Sequence, residues 1–149
     1  MNFNLREIIY NDYPKLLEWV NDPDTRLNSI NQGLVKIDEH IGYIKSILNS
    51  TTINQYILEI DGDGVGTIKD KILDGCIEIS YSINPKYRGK KLGILMMQLY
   101  LYNRKGTFLC VVKQNNIPSI KMVERIGYKL DRVENNLCYY ILKRWKKTY

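Results

Sequence analysis

The spacing of apolar positions changes period several times along the chain. Alternation over residues 3–9 predicts a first strand, and residues 14–20 follow as a short helix. Asn11 or Asp12 can cap that helix, Pro14 suits its first turn, and Asn21-Asp22-Pro23 stops it. A second helix is expected after Asp38, with Ile41, Ile44 and Leu48 on one face. The period then becomes that of strands. These cover residues 53–60, 65–69 after the turn Asp61-Gly62-Asp63-Gly64, and 76–83 after Asp74-Gly75, in a meander. From Leu92 the residues Leu95, Met96, Leu99 and Tyr102 continue a helical stripe that Gly106 terminates. A strand over 108–112, a helix over 117–126 stopped by Gly127, and a hairpin of 128–133 with 137–142 around Asn135-Asn136 complete the pattern. Helices placed between sheet segments predict the α+β class.

Composition narrows what such a chain can be. Its 149 residues suit one domain, 1–149, and 44% hydrophobic with 26% charged residues excludes wholesale disorder and collagen-like repeats. Arg6 and Glu7 interrupt the apolar run that a signal peptide needs, and no stretch reaches the ~18 apolar residues of a membrane helix, so a cytoplasmic protein is expected. Cys76, Cys110 and Cys138 are odd in number, lack a CxxC pair and sit in apolar stretches; they read as core residues, and no metal is expected. Lys and Arg number 22 against 16 Asp and Glu, a formal charge of +6 that invites an anion. Nucleic acid, an anionic membrane and a phosphorylated small molecule all satisfy that charge, and the basic tail Lys143, Arg144, Lys146 and Lys147 fits the first.

One loop sharpens the choice of anion. The strand over 76–83 runs through Asn84-Pro85-Lys86-Tyr87 into Arg88-Gly89-Lys90-Lys91-Leu92-Gly93 and directly into a helix. A glycine-bearing turn that opens a helix aims unpaired N–H groups and the positive end of the helix dipole at one point. Gly89 and Gly93 permit close approach, and Arg88, Lys90 and Lys91 add charge. A Walker loop is excluded because Lys91, not Ser or Thr, follows Gly89-Lys90. A dinucleotide fingerprint is excluded at Gly62, Gly64 and Gly66, where Thr67 stands in place of the third glycine. An EF-hand fails there too, because Val65 and Ile72 occupy ligand positions.

The stretch from Glu78 to Gly93 resembles the acetyl-CoA-binding motif of the GCN5-related N-acetyltransferases (GNAT), Arg/Gln-x-x-Gly-x-Gly/Ala, with Lys91 in place of the middle glycine. The stretch from Val112 to Tyr128, including Asn116, Ser119 and Glu124-Arg125-Ile126-Gly127-Tyr128, is similar to the family's later strand, helix start and Glu-Lys-x-Gly-Phe ending. The resemblance implies a mixed, mostly antiparallel twisted sheet of about seven strands, splayed between the fourth and fifth, with about four flanking helices. It implies a pantetheine arm in the splay, bonded to the main chain of Ile83, and a diphosphate held by Arg88, Gly89, Lys90, Lys91, Leu92 and Gly93. Asn116 and Ser119 would touch the arm. Lys121 and Arg125 would reach a 3′-phosphate or merely form a solvated basic face.

The implied chemistry is direct attack of a neutral primary amine on the thioester in a ternary complex, helped by proximity and a general base. Many relatives carry a Tyr acid four residues after the Ser119 position; here Val123 stands there. Glu78 is the favoured base, with Tyr81 and His40 as further catalytic candidates. The segment from Trp19 to Ser29, followed by Glu39-His40-Ile41-Gly42-Tyr43, resembles acetyltransferases of surface-polysaccharide pathways that act on UDP-linked amino sugars. That resemblance implies acceptor contacts at Arg26, Asn28 and Tyr43, with Arg26 and Lys36 meeting the acceptor diphosphate. A helix stop and cap explain Asn21-Asp22-Pro23 equally well. Protein N-terminal or polyamine acetylation, a nucleic-acid binder and a silent CoA-binding module are the alternatives. The expected partner is a small-molecule amine, without nucleic acid or membrane, acting on a monomer or homodimer.

Overall fold

The computed structural model describes residues 1–145. The chain runs β1 (Phe3–Glu7), α1 (Tyr13–Val20), α2 (Pro23–Asn28), α3 (Ile37–Leu48), β2 (Ile53–Ile60), β3 (Asp63–Leu73) and β4 (Cys76–Ile83). It continues through α4 (Leu92–Leu101), β5 (Gly106–Lys113), α5 (Ile117–Ile126), β6 (Lys129–Glu134) and β7 (Leu137–Arg144). The seven strands form one sheet in the order β1-β2-β3-β4-β5-β7-β6, antiparallel everywhere except between β4 and β5. The expected α+β class and seven-stranded sheet are therefore found, with five helices among the described residues instead of about four.

The additional helix is α2. Asp22 caps it by accepting from the Thr25 amide at 3.1 Å, and Pro23 occupies its first turn. Asn21-Asp22-Pro23 thus ends one helix and begins another. Asp38, expected to precede its helix, lies within the first turn of α3, which Lys36 caps without a side-chain bond. Strands β3 and β7 also run further than alternation indicated, to Leu73 and Arg144. Lys146 and Lys147 of the basic tail lie outside the described residues.

Two cores hold the layers together. Under one sheet face α4 buries Met96, Met97, Tyr100 and Leu101 against Leu58, Ile68, Ile79 and Phe108. Each such side chain contributes about 1.5–3 kcal/mol. The expected stripe is corrected here: Leu99 is 37% and Tyr102 62% exposed. Residues 92–101 read Leu-Gly-Ile-Leu-Met-Met-Gln-Leu-Tyr-Leu, so nearly every face is apolar and tertiary packing selects the buried one. On the other sheet face α1 and α3 bury Leu16, Trp19, Ile44 and Ile47 against Ile57. Cys110 and Cys138 are buried and all three cysteines are free.

Candidate active site

The parallel contact between β4 and β5 lasts only two residues, Ile77 opposite Phe108 and Glu78 opposite Leu109. Beyond it the strands diverge, because each is fully paired on its outer side. The rest of β4 pairs with β3 up to Ile83 opposite Gly66, and β5 pairs with β7 up to Lys113 opposite Leu137. Gly66 allows the close approach on the β3 side: a Cβ there would lie 2.8 Å from Ile83 Cδ1 and 3.0 Å from the Ser82 carbonyl oxygen. The divergence opens a cleft of about 750 Å³ lined by Ile79 to Ile83, Cys110 to Lys113, the start of α5 and residues of α2.

Above β4 the chain turns through Pro85–Tyr87 into the basic loop. Gly89 has φ +79° and Lys91 φ +60°, both left-handed, and Lys91 is the N-cap of α4 without a side-chain bond to it. Lys91 thus holds a left-handed conformation that glycine would adopt without strain. A Cβ at Gly89 would meet nothing within 4 Å, which leaves open space beside the loop amides. Lys90 lies over the Tyr87 ring, 5.5 Å from its centroid. The Arg88 guanidinium instead donates to Asp22 Oδ2 at 2.6 Å, Thr25 Oγ1 at 3.2 Å and Asp24 Oδ2 at 3.4 Å. Burial pushes the Asp22 carboxyl up, but the bonds from Arg88 and the Thr25 amide outweigh it and hold the group below the usual carboxylate range.

The other expected site residues do not all meet in the cleft. Ile83, Asn116 and Ser119 line the cleft. Asn116 caps α5 by accepting from the Ser119 amide at 3.4 Å, and Ser119 Oγ is hydrogen-bonded to the Tyr81 hydroxyl across the cleft. Burial pushes the Tyr81 phenol up, against the bond to Ser119, so it stays protonated. Glu78 stands at the last paired position, directly below the lining, on the strand face shared with Ser80 and Ser82. Cys110 also lines the cleft, but burial pushes its thiol up to about 12 and keeps it a poor nucleophile at neutral pH.

Among the acceptor candidates, Asn28 lines the cleft and donates to the Asp24 carbonyl at 3.0 Å. Arg26 is occupied locally: its guanidinium donates to the carbonyls of Val20, Asn31 and Gly33 and to Ser29 Oγ, bracing the loop after α2. Tyr43 is 41% exposed on α3 and its hydroxyl accepts from Lys69. His40 is 5% exposed in the core between α1 and α3, where Nε2 bonds the Tyr13 carbonyl at 3.1 Å. Burial pushes its imidazole below the ordinary value, with that bond opposing, so it is neutral at pH 7. None of these contacts brings His40 to the cleft. Val123 is fully buried.

Sequence reasoning missed α2 as a cleft wall. Asp24, Thr25, Ser29 and Ile30 line the opening, and Lys113 Nζ donates to the Leu27 carbonyl at 2.9 Å. An Asp followed by Pro was the available signal, since that pair starts helices as readily as it ends them. Among the described residues no cluster of His, Cys, Asp or Glu can hold a metal, and no helix is long and apolar enough to cross a membrane.

A sheet splayed between its two parallel strands, with a basic loop entering a helix above the gap, defines an acyltransferase fold of one class. The model of the acetyltransferase (GNAT) domain family matches residues 2–129, and the chain belongs to this family of acyltransferases. No curated protein matches it. Among solved structures, a domain from Methanocaldococcus jannaschii is 24% identical with TM-score 0.81, over 95% of this chain and 98% of that one. Spermidine N-acetyltransferase from Vibrio cholerae, in complex with CoA and spermine, is 12% identical with TM-score 0.83, over 95% of each chain. Aminoglycoside acetyltransferase AAC(6')-Ib, in complex with coenzyme A, is 18% identical with TM-score 0.78, over 96% of this chain and 95% of that one. At these identities the likeness is one of fold.

Proposed function

We propose that residues 1–149 act as one cytoplasmic catalytic domain that transfers acetyl from acetyl-CoA to the primary amine of a nucleotide-linked amino sugar. The observation that carries the reading is the cleft between β4 and β5. It exposes strand edges whose cross-strand pairing has ended, and it leads to the left-handed Gly89 and Lys91 beneath α4. A pantetheine arm has amides to pair with such edges, and a diphosphate fits open space beside loop amides, so the residues suit the cofactor. When bound, acetyl-CoA supplies an activated thioester carbonyl.

The chain's own residues would then do the following. Ile83 offers main-chain bonds to the arm. Arg88 to Gly93, with the cations of Arg88, Lys90 and Lys91, hold the diphosphate, and Asn116 and Ser119 bound the arm from the α5 side. Glu78, directly below the lining, takes the amine proton, through water where needed. Tyr81, kept protonated, holds a proton at its hydroxyl within the cleft. No covalent intermediate on the protein is required.

Charge around the cleft favours an acceptor that is not a polycation. The charged residues lining it are Asp24, Arg88 and Lys113, and the single carboxylate is ion-paired with Arg88, so no group of carboxylates lines it. A polyamine or aminoglycoside, with several ammonium groups, would favour several carboxylates. The polyamine reading draws on the exposed Asp24 side chain, 76% accessible at the mouth. Measuring thiol release from acetyl-CoA across a panel of amines tests the function. Release is expected with UDP-amino sugars and to fall at least about tenfold with Gly89→Glu, which places a strained residue and a carboxylate at the diphosphate. Release with spermidine alone would overturn the acceptor, and release with no amine would overturn the reaction.

A further inference from the structure

Helix α2 crosses the mouth of the cleft and is tied to both of its sides. On the β4 side, Arg88 reaches Asp22 at 2.6 Å, Thr25 at 3.2 Å and Asp24 at 3.4 Å. On the β5 side, Lys113 reaches the Leu27 carbonyl at 2.9 Å. Between these ties α2 buries no residue, and Leu27 and Ile30 are 62% and 72% exposed. Apolar packing therefore adds little to its hold. The attachment is a few polar contacts that are partly open to solvent, each worth about 1 kcal/mol or less.

Arg88 also belongs to the loop assigned to the diphosphate. Its guanidinium cannot keep two aspartates and turn fully to a diphosphate with the same N–H groups, because planar donors form their strong bidentate bonds in one direction at a time. The competition is built into one side chain, which Asp22, Asp24 and Thr25 hold on the α2 side.

We propose that Arg88 is an exchangeable latch: in the empty protein it holds α2 across the acceptor side of the cleft, and the cofactor diphosphate draws it away and frees α2. This rests on the diphosphate site proposed above. Arg88 is then a positioning residue for the acceptor wall as well as a ligand. By linkage, a change that weakens the latch without altering the diphosphate's own contacts strengthens cofactor binding, by the same factor while the latched form predominates.

Calorimetry of coenzyme A binding to the full chain tests the latch through a cycle of variants. Asp22→Asn with Asp24→Asn keeps an acceptor for the Thr25 amide while removing both charges. It should tighten coenzyme A about fivefold or more. In an Arg88→Ala background the same pair should change affinity by less than about twofold, since no latch remains to release. Simple repulsion by the aspartates would instead persist or grow in that background, and this result would overturn the proposal. Hydrogen exchange read by mass spectrometry gives a second, independent measure. Amides of residues 23–34 should exchange faster with saturating coenzyme A than without it, and unchanged or slower exchange would overturn the latch while leaving cofactor binding intact. Absence of coenzyme A binding to the unaltered protein would overturn the diphosphate site itself, and the latch with it.

Discussion

Lys91 is the residue at which conformation and charge can be separated by experiment. It sits at φ +60° and ψ 24°, exposed, as the N-cap of α4. A non-glycine residue in this region is strained by about 1–2 kcal/mol, because its Cβ crowds the following carbonyl. Lys91→Gly removes that strain but makes the unfolded chain more flexible, which costs about 0.5–1 kcal/mol. Lys91→Ala keeps the strain and loses the same cation, so it is the proper reference. The glycine variant should be more stable than the alanine variant by about 0.5–1 kcal/mol, or roughly 1–4 °C in melting temperature for a chain of this size.

The same pair separates the two contributions to diphosphate binding. Alanine removes one exposed cation and should weaken coenzyme A by about two- to fivefold. Glycine removes it too, and holds the loop amides in the same direction, so its affinity should match that of alanine within about twofold. Differential scanning calorimetry and titration calorimetry on both variants supply the numbers. Equal stability of the two would refute the left-handed loop. A loss well beyond about fivefold in both variants would refute the view that the amides, and not the lysine side chain, shape the site.

Gly66→Ala places a methyl 2.8 Å from Ile83 Cδ1 and 3.0 Å from the Ser82 carbonyl oxygen, and should destabilise the fold by about 1–3 kcal/mol in urea unfolding. The pH profile should report His40. Its folded pKa lies below the ordinary value of 6.5, so its contribution is present above pH 6.5 and is lost as pH falls through the folded value. Melting temperature should accordingly decline from pH 7 toward pH 5, and His40→Gln, which can still donate to the Tyr13 carbonyl, should flatten part of that decline.

Elements whose pattern is local were legible from the sequence. Asn135-Asn136 forms the hairpin turn with φ of 52° and 64°, and Gly127 ends α5 at φ +119°, because both rest on residues that tolerate left-handed backbone. The stripe on α4 was not legible, since an apolar segment carries no periodic contrast. The loop from Arg88 to Gly93 was legible as an anion site, yet the partners of Arg88 were not: Asp22 and Asp24 lie more than sixty residues away, and only the tertiary fold brings them together. Arg26 shows the converse. Its charge suggested a ligand, whereas its donors brace neighbouring carbonyls, which no charge count distinguishes.

The cleft carries an energetic demand as well as a shape. Each of its walls is anchored outside: Asn84 donates its amide to the Val65 carbonyl at 2.9 Å, and the Gln114 amide donates to the Asn136 carbonyl at 2.9 Å. The strands can therefore diverge without unravelling, but the inner edges of Ile79 to Ile83 and Cys110 to Lys113 forgo ladder bonds that a continuous sheet would have. Backbone groups in such a position favour any ligand that supplies donors and acceptors at strand spacing. A pantetheine arm does so, and stabilisation by a ligand that binds the folded state alone follows its concentration. At 100 times its dissociation constant the gain is about 2.7 kcal/mol, and this corresponds to roughly 5–11 °C in melting temperature. Pantetheine lacking the diphosphate should give a smaller shift in the same direction. A full shift with a nucleotide diphosphate and none with pantetheine would mean that the strand edges take no part in binding.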